Sequence, residues 1–251
     1  MLSAQQIEQF ERDGFLILPQ RVGAQRVAQM RSVVLKQLQQ PSTPLEYEAE
    51  LGYAGAPASL DAPGGRTVRR LQGAYHRATC LQQWASEPDL IQTLRQLFGQ
   101  AVLLNLAHHN CVMTKHPDFG SATGWHRDIR YWSFSDTELI TVWLALGDEH
   151  AANGGLQVIP GSHRWTIAPQ QRDALDFLRT DLPVNQPLIA QGIALTLAAG
   201  DVLLFHSSLL HCANKNSSGE RKLSVAFVYH GATTQPLAGS RSAAAGEISF
   251  G

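Results

Sequence analysis

From residue 101 onward the apolar residues come in short runs, VLLNLAHHNCVMT, ELITVWLAL, GLQVIP, IALTLA, DVLLFHSSLLH and KLSVAFVYH, separated by Gly, Asn, Asp and Pro. Runs this short, often alternating and bounded by turn formers, are strands. With no helical pattern between them they predict an antiparallel all-β half, which must stack two sheets or close on itself to bury its apolar faces.

The first hundred residues read differently. Ser3 followed by Gln6 makes a capping box, Ile7 and Phe10 share a helix face, and Gly14 closes the helix. A short strand, Phe15 to Leu18, follows. A second helix spans about Val22 to Gln40, with Val27, Met30, Val34 and Leu38 at helical spacing and Pro41 as its stop. Residues 41 to 66, rich in Pro, Gly, Ser and Ala, read as a long loop of the kind that covers binding sites. A further helix covers 87 to 98, with Pro88 in its first turn and Gly99 at its end. The expectation is a single domain over 1–251: a helix-rich support over 1–100 and a β core over 101–251.

Hydrophobic residues make up 44% of the 251 and charged residues 16%, enough apolar material for one large core. A net charge of -1 without basic clusters gives no field for nucleic acid. The three cysteines, Cys80, Cys111 and Cys212, are far apart and in no CxxC spacing, so neither a disulfide framework nor a zinc ribbon is expected. The N-terminal segment carries charges where a signal peptide needs an apolar core, and no run of about 18 apolar residues occurs. A cytoplasmic protein with no membrane partner is the expectation.

The chemistry-bearing residues begin at Trp125-His126-Arg127-Asp128. On an extended backbone an imidazole and a carboxylate two residues apart leave from one face while Arg127 points away. His211 ends the apolar run that begins at Gly200. Two histidines and one carboxylate occupy one face of an octahedron and leave three positions open, an arrangement suited to iron(II) that must also bind a chelating cosubstrate and dioxygen. Arg221 lies ten residues after His211, across a polar turn. A hairpin there would return it near the metal, where a guanidinium could hold a far carboxylate through two parallel hydrogen bonds.

Three blocks, KHPDFGSATGWHRDIRY (115–131), VWLALGDEHAANGGLQVIPGSH (142–163) and GDVLLFHSSLLHCANKNSSGER (200–221), resemble the phytanoyl-CoA dioxygenase family of iron- and 2-oxoglutarate-dependent oxygenases. The resemblance implies a double-stranded β-helix, a cupin-like jelly roll with N-terminal helices on one sheet face. It implies iron(II) held by His126, Asp128 and His211, 2-oxoglutarate and dioxygen as cosubstrates, ascorbate as a stimulant and a small-molecule substrate. Arg221 takes the role of distal-carboxylate clamp, Arg70 and Trp143 match positions that touch the cosubstrate in relatives, and Thr141 offers a strand hydroxyl in place of a serine that Ala213 replaces. Asp128 stands where related halogenases carry a small residue, which favours hydroxylation over chlorination. The alternatives from the residues alone are a non-catalytic metal-containing jelly roll that binds a small molecule, and a zinc hydrolase, for which no general base is evident. His206, five residues before His211, is expected to face away from it on one continuous strand. Of His108 and His109, one at most is expected to face inward.

Overall fold

The structure, a computed structural model, describes residues 1–250. Twelve strands and the five α-helices of the first hundred residues carry the fold. The strands are β1 (Phe15–Leu18), β2 (Leu45–Tyr47), β3 (Val68–Gln72), β4 (Val102–Lys115), β5 (Thr123–His126), β6 (Leu139–Ala145), β7 (Leu156–Val158), β8 (Ile193–Ala194), β9 (Val202–His206), β10 (His211–Ala213), β11 (Lys222–Gly231) and β12 (Glu247–Phe250). The helices are α1 (Ala4–Asp13), α2 (Ala24–Gln39), α3 (Ala74–Arg77), α4 (Thr79–Ala85) and α5 (Pro88–Phe98).

The strands form a larger sheet in the order β1-β9-β6-β11-β4-β3-β2, with β12 also on β4, and a smaller one in the order β5-β10-β7-β8. Every pairing is antiparallel. The two sheets face each other as the expected double-stranded β-helix. Capping predicted α1 well: Ser3 and Gln6 make the reciprocal box, and Gly14 ends the helix at φ 78°.

Strand β11 sits in the middle of the larger sheet and is buried on both faces. Its odd positions, Leu223, Val225, Phe227 and Tyr229, are bulky and pack outward in a core with α2, α4 and α5, against Met30, Val34, Leu81, Trp84 and Leu94. Its even positions, Lys222, Ser224 and Ala226, are small or polar and face the interior between the sheets, beside Trp143, Ala145 and Cys111. One strand thus serves a support core on one face and a chamber on the other, because successive side chains alternate.

Three expectations needed correction. The segment 41–66 is not loop throughout: its start pairs as β2 with β3, and a helical turn at Glu48–Glu50 buries Glu48. Neither β3 nor the short helices α3 and α4 stood out, because each is too short for its periodicity to be told from that of its flanks. His206 and His211 do not share a strand. His206 ends β9 in the larger sheet, the chain turns through Ser207 to Leu210, and His211 opens β10 in the smaller one.

Candidate metal centre and cosubstrate chamber

His126 and His211 are register partners across the β5–β10 pair, with ring centroids 4.2 Å apart. The backbone stays extended through Arg127 (φ -113°, ψ 137°), so Asp128 returns to the face of His126 before the chain turns at Asp128–Tyr131. Arg127 points away and donates to the carbonyls of Ser162 and Trp165. The ligand atoms of His126, Asp128 and His211 all lie within 4.8 Å of one another, and all three residues are buried.

The hydrogen bonds around them leave one set of lone pairs free. His126 Nδ1 donates to the Gly124 carbonyl at 2.8 Å and His211 Nδ1 to the Leu209 carbonyl at 3.0 Å. A carbonyl only accepts, so each proton is fixed on Nδ1 and each Nε2 is left as a donor atom for a metal. Asp128 Oδ2 accepts from Thr141 Oγ1 at 3.1 Å and has His109 Nδ1 at the same distance. Asp128 Oδ1 is buried with no hydrogen-bond partner among the described residues, and faces His211 Nε2 at 3.4 Å and His126 Nε2 at 3.6 Å. A buried carboxylate oxygen without a partner is costly unless something takes it up. A divalent ion between these three atoms does so, and the residues fit iron(II).

Burial and the neighbouring His211 push the His126 imidazole down to about 4. Burial opposes the charge of His211 too, but Asp128 beside it wins and raises it. Burial would raise Asp128, yet His109 and His211 hold its carboxyl well below the usual range. Without metal, His211 is the ligand that carries a proton on the acid side of its raised pKa, because Asp128 lies beside it. Metal binding must expel that proton, so affinity should rise with pH up to the folded pKa of His211 and be flat above it. Titration calorimetry in buffers of different ionisation heat checks this, with one proton released per ion on the acid side. No release below pH about 6 would contradict the assignment of His211.

A cavity opens beside these ligands. Its walls bring together His126, Asp128, His211, Arg70 and Trp143, and with them Arg69, His109, Lys115 and Lys222. Thr141 is adjacent, and its hydroxyl is committed to Asp128. Trp143 Nε1 donates to Glu149 at 3.1 Å, and its ring lies 4.8 Å from Lys222 Nζ. Arg70 ion-pairs with Glu46 at 2.6 Å.

Arg221 is not brought to this cavity. It lines a surface depression with Arg31, Leu35, His116 and Glu220. One residue on, Lys222 is buried inside, 3.0 Å from Glu149 and 3.2 Å from Ser224 Oγ. Strand parity is the reason: even positions of β11 face the chamber. The alternation of bulky Leu223, Val225 and Phe227 with small Ser224 and Ala226 was the signal that could have found it. Lys115, opposite Lys222 on β4, donates to the carbonyls of Ala213 (3.1 Å) and Asn214 (2.6 Å). Its stem passes under Gly154, where an added Cβ would meet Lys115 Cδ at 2.3 Å, so this glycine is required by close approach. Burial, with Arg69 and Lys222 nearby, lowers Lys115 well below its ordinary value, and burial also lowers Lys222 despite Glu149.

His109 faces the chamber while His108 does not line it, as parity requires, although a register shift between Phe227 and Val228 lets both rings reach Tyr131 and Trp132. Buried His206 reaches Glu138 at 3.5 Å, and Ser162 of the Pro-Gly-Ser-His turn caps the Leu210 amide. Burial pushes the Cys111 and Cys212 thiols up to about 12, so both stay protonated beside the metal centre. Loop residue Tyr53 is buried, with its hydroxyl 3.2 Å from that of Tyr131 and its ring edge-on to Phe177, which stands perpendicular to His126.

Comparison with known proteins agrees with this architecture. The sequence profile of the family described as Phytanoyl-CoA dioxygenase (PhyH) matches residues 10–223. An ectoine dioxygenase from Bordetella parapertussis is 28% identical over 246 residues, covering 91% of this chain and 75% of that one. Among solved structures, EctD from S. alaskensis with 2-oxoglutarate and 5-hydroxyectoine superposes with a TM-score of 0.77 at 21% identity, over 94% of this chain and 78% of that one. The non-heme alpha ketoglutarate dependent carbocyclase SnoK from nogalamycin biosynthesis does so at 0.74 and 20%, over 96% and 88%. No helix among the described residues is long and apolar enough to cross a membrane. With a profile match over most of its length and a buried His-Asp-His centre inside a double-stranded β-helix, the chain belongs to the phytanoyl-CoA dioxygenase family of iron- and 2-oxoglutarate-dependent oxygenases.

Proposed function

We propose that this protein hydroxylates an unactivated C–H bond of a small organic molecule, in the overall reaction R–H + 2-oxoglutarate + O2 → R–OH + succinate + CO2. The observation that carries this reading is the unpartnered Asp128 Oδ1 between two Nε2 atoms, next to a chamber lined by buried cations. Iron(II), held by His126, Asp128 and His211, supplies dioxygen activation coupled to oxidative decarboxylation of 2-oxoglutarate. A carboxylate at position 128 fills the coordination position that chloride would need, which favours hydroxylation.

The chain's own residues position and exclude. Thr141 steadies the Asp128 carboxylate, with His109 beside it, and the two carbonyl bonds fix the imidazole tautomers. Lys222 and Lys115, in place of Arg221, hold the far carboxylate of 2-oxoglutarate, with Glu149 and Trp143 fixing Lys222. A dianion entering here restores the charge that burial takes from both lysines. Tyr53, Tyr131 and Phe177 shield the metal side from water. Succinate formation from 2-oxoglutarate with iron(II) and ascorbate, compared with zinc, tests the reading. Turnover is expected with iron alone, and none with either ion would refute it.

A further inference from the structure

The charges around the chamber do not all pair. Arg69 is matched by Glu48, Arg70 by Glu46 and Lys222 by Glu149, each within ion-pair distance. Lys115, which lines the chamber, has no carboxylate partner among the described residues, and neither has Arg130, which follows the metal ligand Asp128 in sequence. Lys115 lines the inner cavity with Lys222, where the cosubstrate's far carboxylate belongs. Arg130 stands elsewhere, and nothing in the reading above uses it.

Arg130 follows the metal ligand Asp128 by two residues in the same tight turn, so its position relative to the metal is fixed by backbone. Its guanidinium carbon lies 4.4 Å from the Phe177 ring centroid and 4.9 Å from that of Tyr131. Both rings border the metal ligand His126, Phe177 at 5.6 Å and Tyr131 at 6.5 Å. Tyr53 of the 41–66 loop meets both, so the guanidinium belongs to the loop side of the metal. Its Nη1 is buried and has no hydrogen-bond partner among the described residues. A half-buried guanidinium held by aromatic rings, with a buried N–H unpaired, lacks an anionic partner.

We infer that Arg130 receives a carboxylate of the substrate, so that the substrate is a small organic acid whose apolar part lies against Tyr131 and Phe177. This rests on the oxygenase reading. A planar fork matches a carboxylate through two parallel hydrogen bonds, and a fixed distance from Arg130 to the metal selects which carbon of the acid is presented for oxidation. Neutral analogues leave the buried N–H groups without a charged acceptor, so discrimination between an acid and its amide is built into the site.

The test uses the iron(II) protein saturated with 2-oxoglutarate under anaerobic conditions, where ligands bind without turnover. Titration calorimetry compares benzoate with benzamide, and cyclohexanecarboxylate with its amide, in the wild type, Arg130→Gln and Arg130→Lys. In the wild type at least one acid is expected to bind tenfold or more tightly than its amide. Arg130→Gln should erase that preference while leaving the amide's affinity in place, and Arg130→Lys should retain part of it. The inference is overturned if neither acid is preferred over its amide, if the preference survives in Arg130→Gln, or if the acids bind only by displacing 2-oxoglutarate. The wild-type comparison stands even if a variant does not fold. Admitting dioxygen to the wild type then separates the two readings: succinate without acid preference sinks only the role of Arg130, and acid preference without succinate sinks only the oxygenase chemistry.

Discussion

Asp128→Ala abolishes iron-dependent succinate formation and leaves the double-stranded β-helix folded; this is the expected result, and His126→Ala and His211→Ala should behave alike. Changing a partner outside the ligand set typically costs about 10- to 100-fold in metal affinity or activity, so loss of a ligand should cost more. Thr141→Val supplies the internal comparison, since it removes only the hydroxyl that steadies Asp128 Oδ2. Its iron affinity should fall within that range of roughly 10- to 100-fold, well short of the ligand variants. Iron affinity by competitive chelation and secondary structure by circular dichroism, measured beside turnover, separate a lost ligand from a lost fold. Near wild-type turnover in any one of the three variants would remove that residue from the ligand set.

The second large effect is at position 222. Lys222 and Glu149 are a buried pair, with side chains 5% and 1% exposed and 3.0 Å between Nζ and Oε2. Removing one partner of such a pair leaves a buried charge uncompensated, at a cost of about 3–5 kcal/mol. Lys222→Met should therefore lower the denaturation midpoint clearly, and adding Glu149→Gln should recover much of the loss, because the stranded carboxylate is then gone. Binding should not recover with it. The far carboxylate of 2-oxoglutarate loses a charged hydrogen bond worth about 1.5–3 kcal/mol, so the double variant should bind it roughly 10- to 100-fold more weakly. Pyruvate, which has no far carboxylate, should be used no worse by the double variant than by the wild type. Arg221→Ala, at a partly exposed surface site, should leave both stability and 2-oxoglutarate affinity within about 0.5 kcal/mol of wild type. If instead Arg221→Ala weakens 2-oxoglutarate binding and the Lys222 variants do not, the clamp lies at 221 after all.

The contrast between 221 and 222 marks the boundary between what sequence alone determined and what tertiary structure decided. His126 and Asp128 were legible because their relation is local: two residues apart on an extended backbone share a face whatever the rest of the chain does. The same holds for the Ser3–Gln6 box, the Gly14 stop and the alternating runs after residue 101, each fixed by neighbours in sequence. His211 was legible from its place at the end of a strand run, though not from the strand it occupies, since the chain changes sheets between His206 and His211. Which cation enters the chamber was decided by pairing between distant segments. Strand β11 sits in register with β4 and β6, a relation between residues about 80 to 130 positions apart, and a shift of one residue would exchange every side chain between chamber and outer core. The partners Glu149 for Lys222, Glu48 for Arg69 and Phe177 for Arg130 are likewise met only across the fold. Local geometry wrote the metal ligands into the sequence. The charges that surround them were assigned by long-range register, because only the closed pair of sheets determines which face of each strand is the inside.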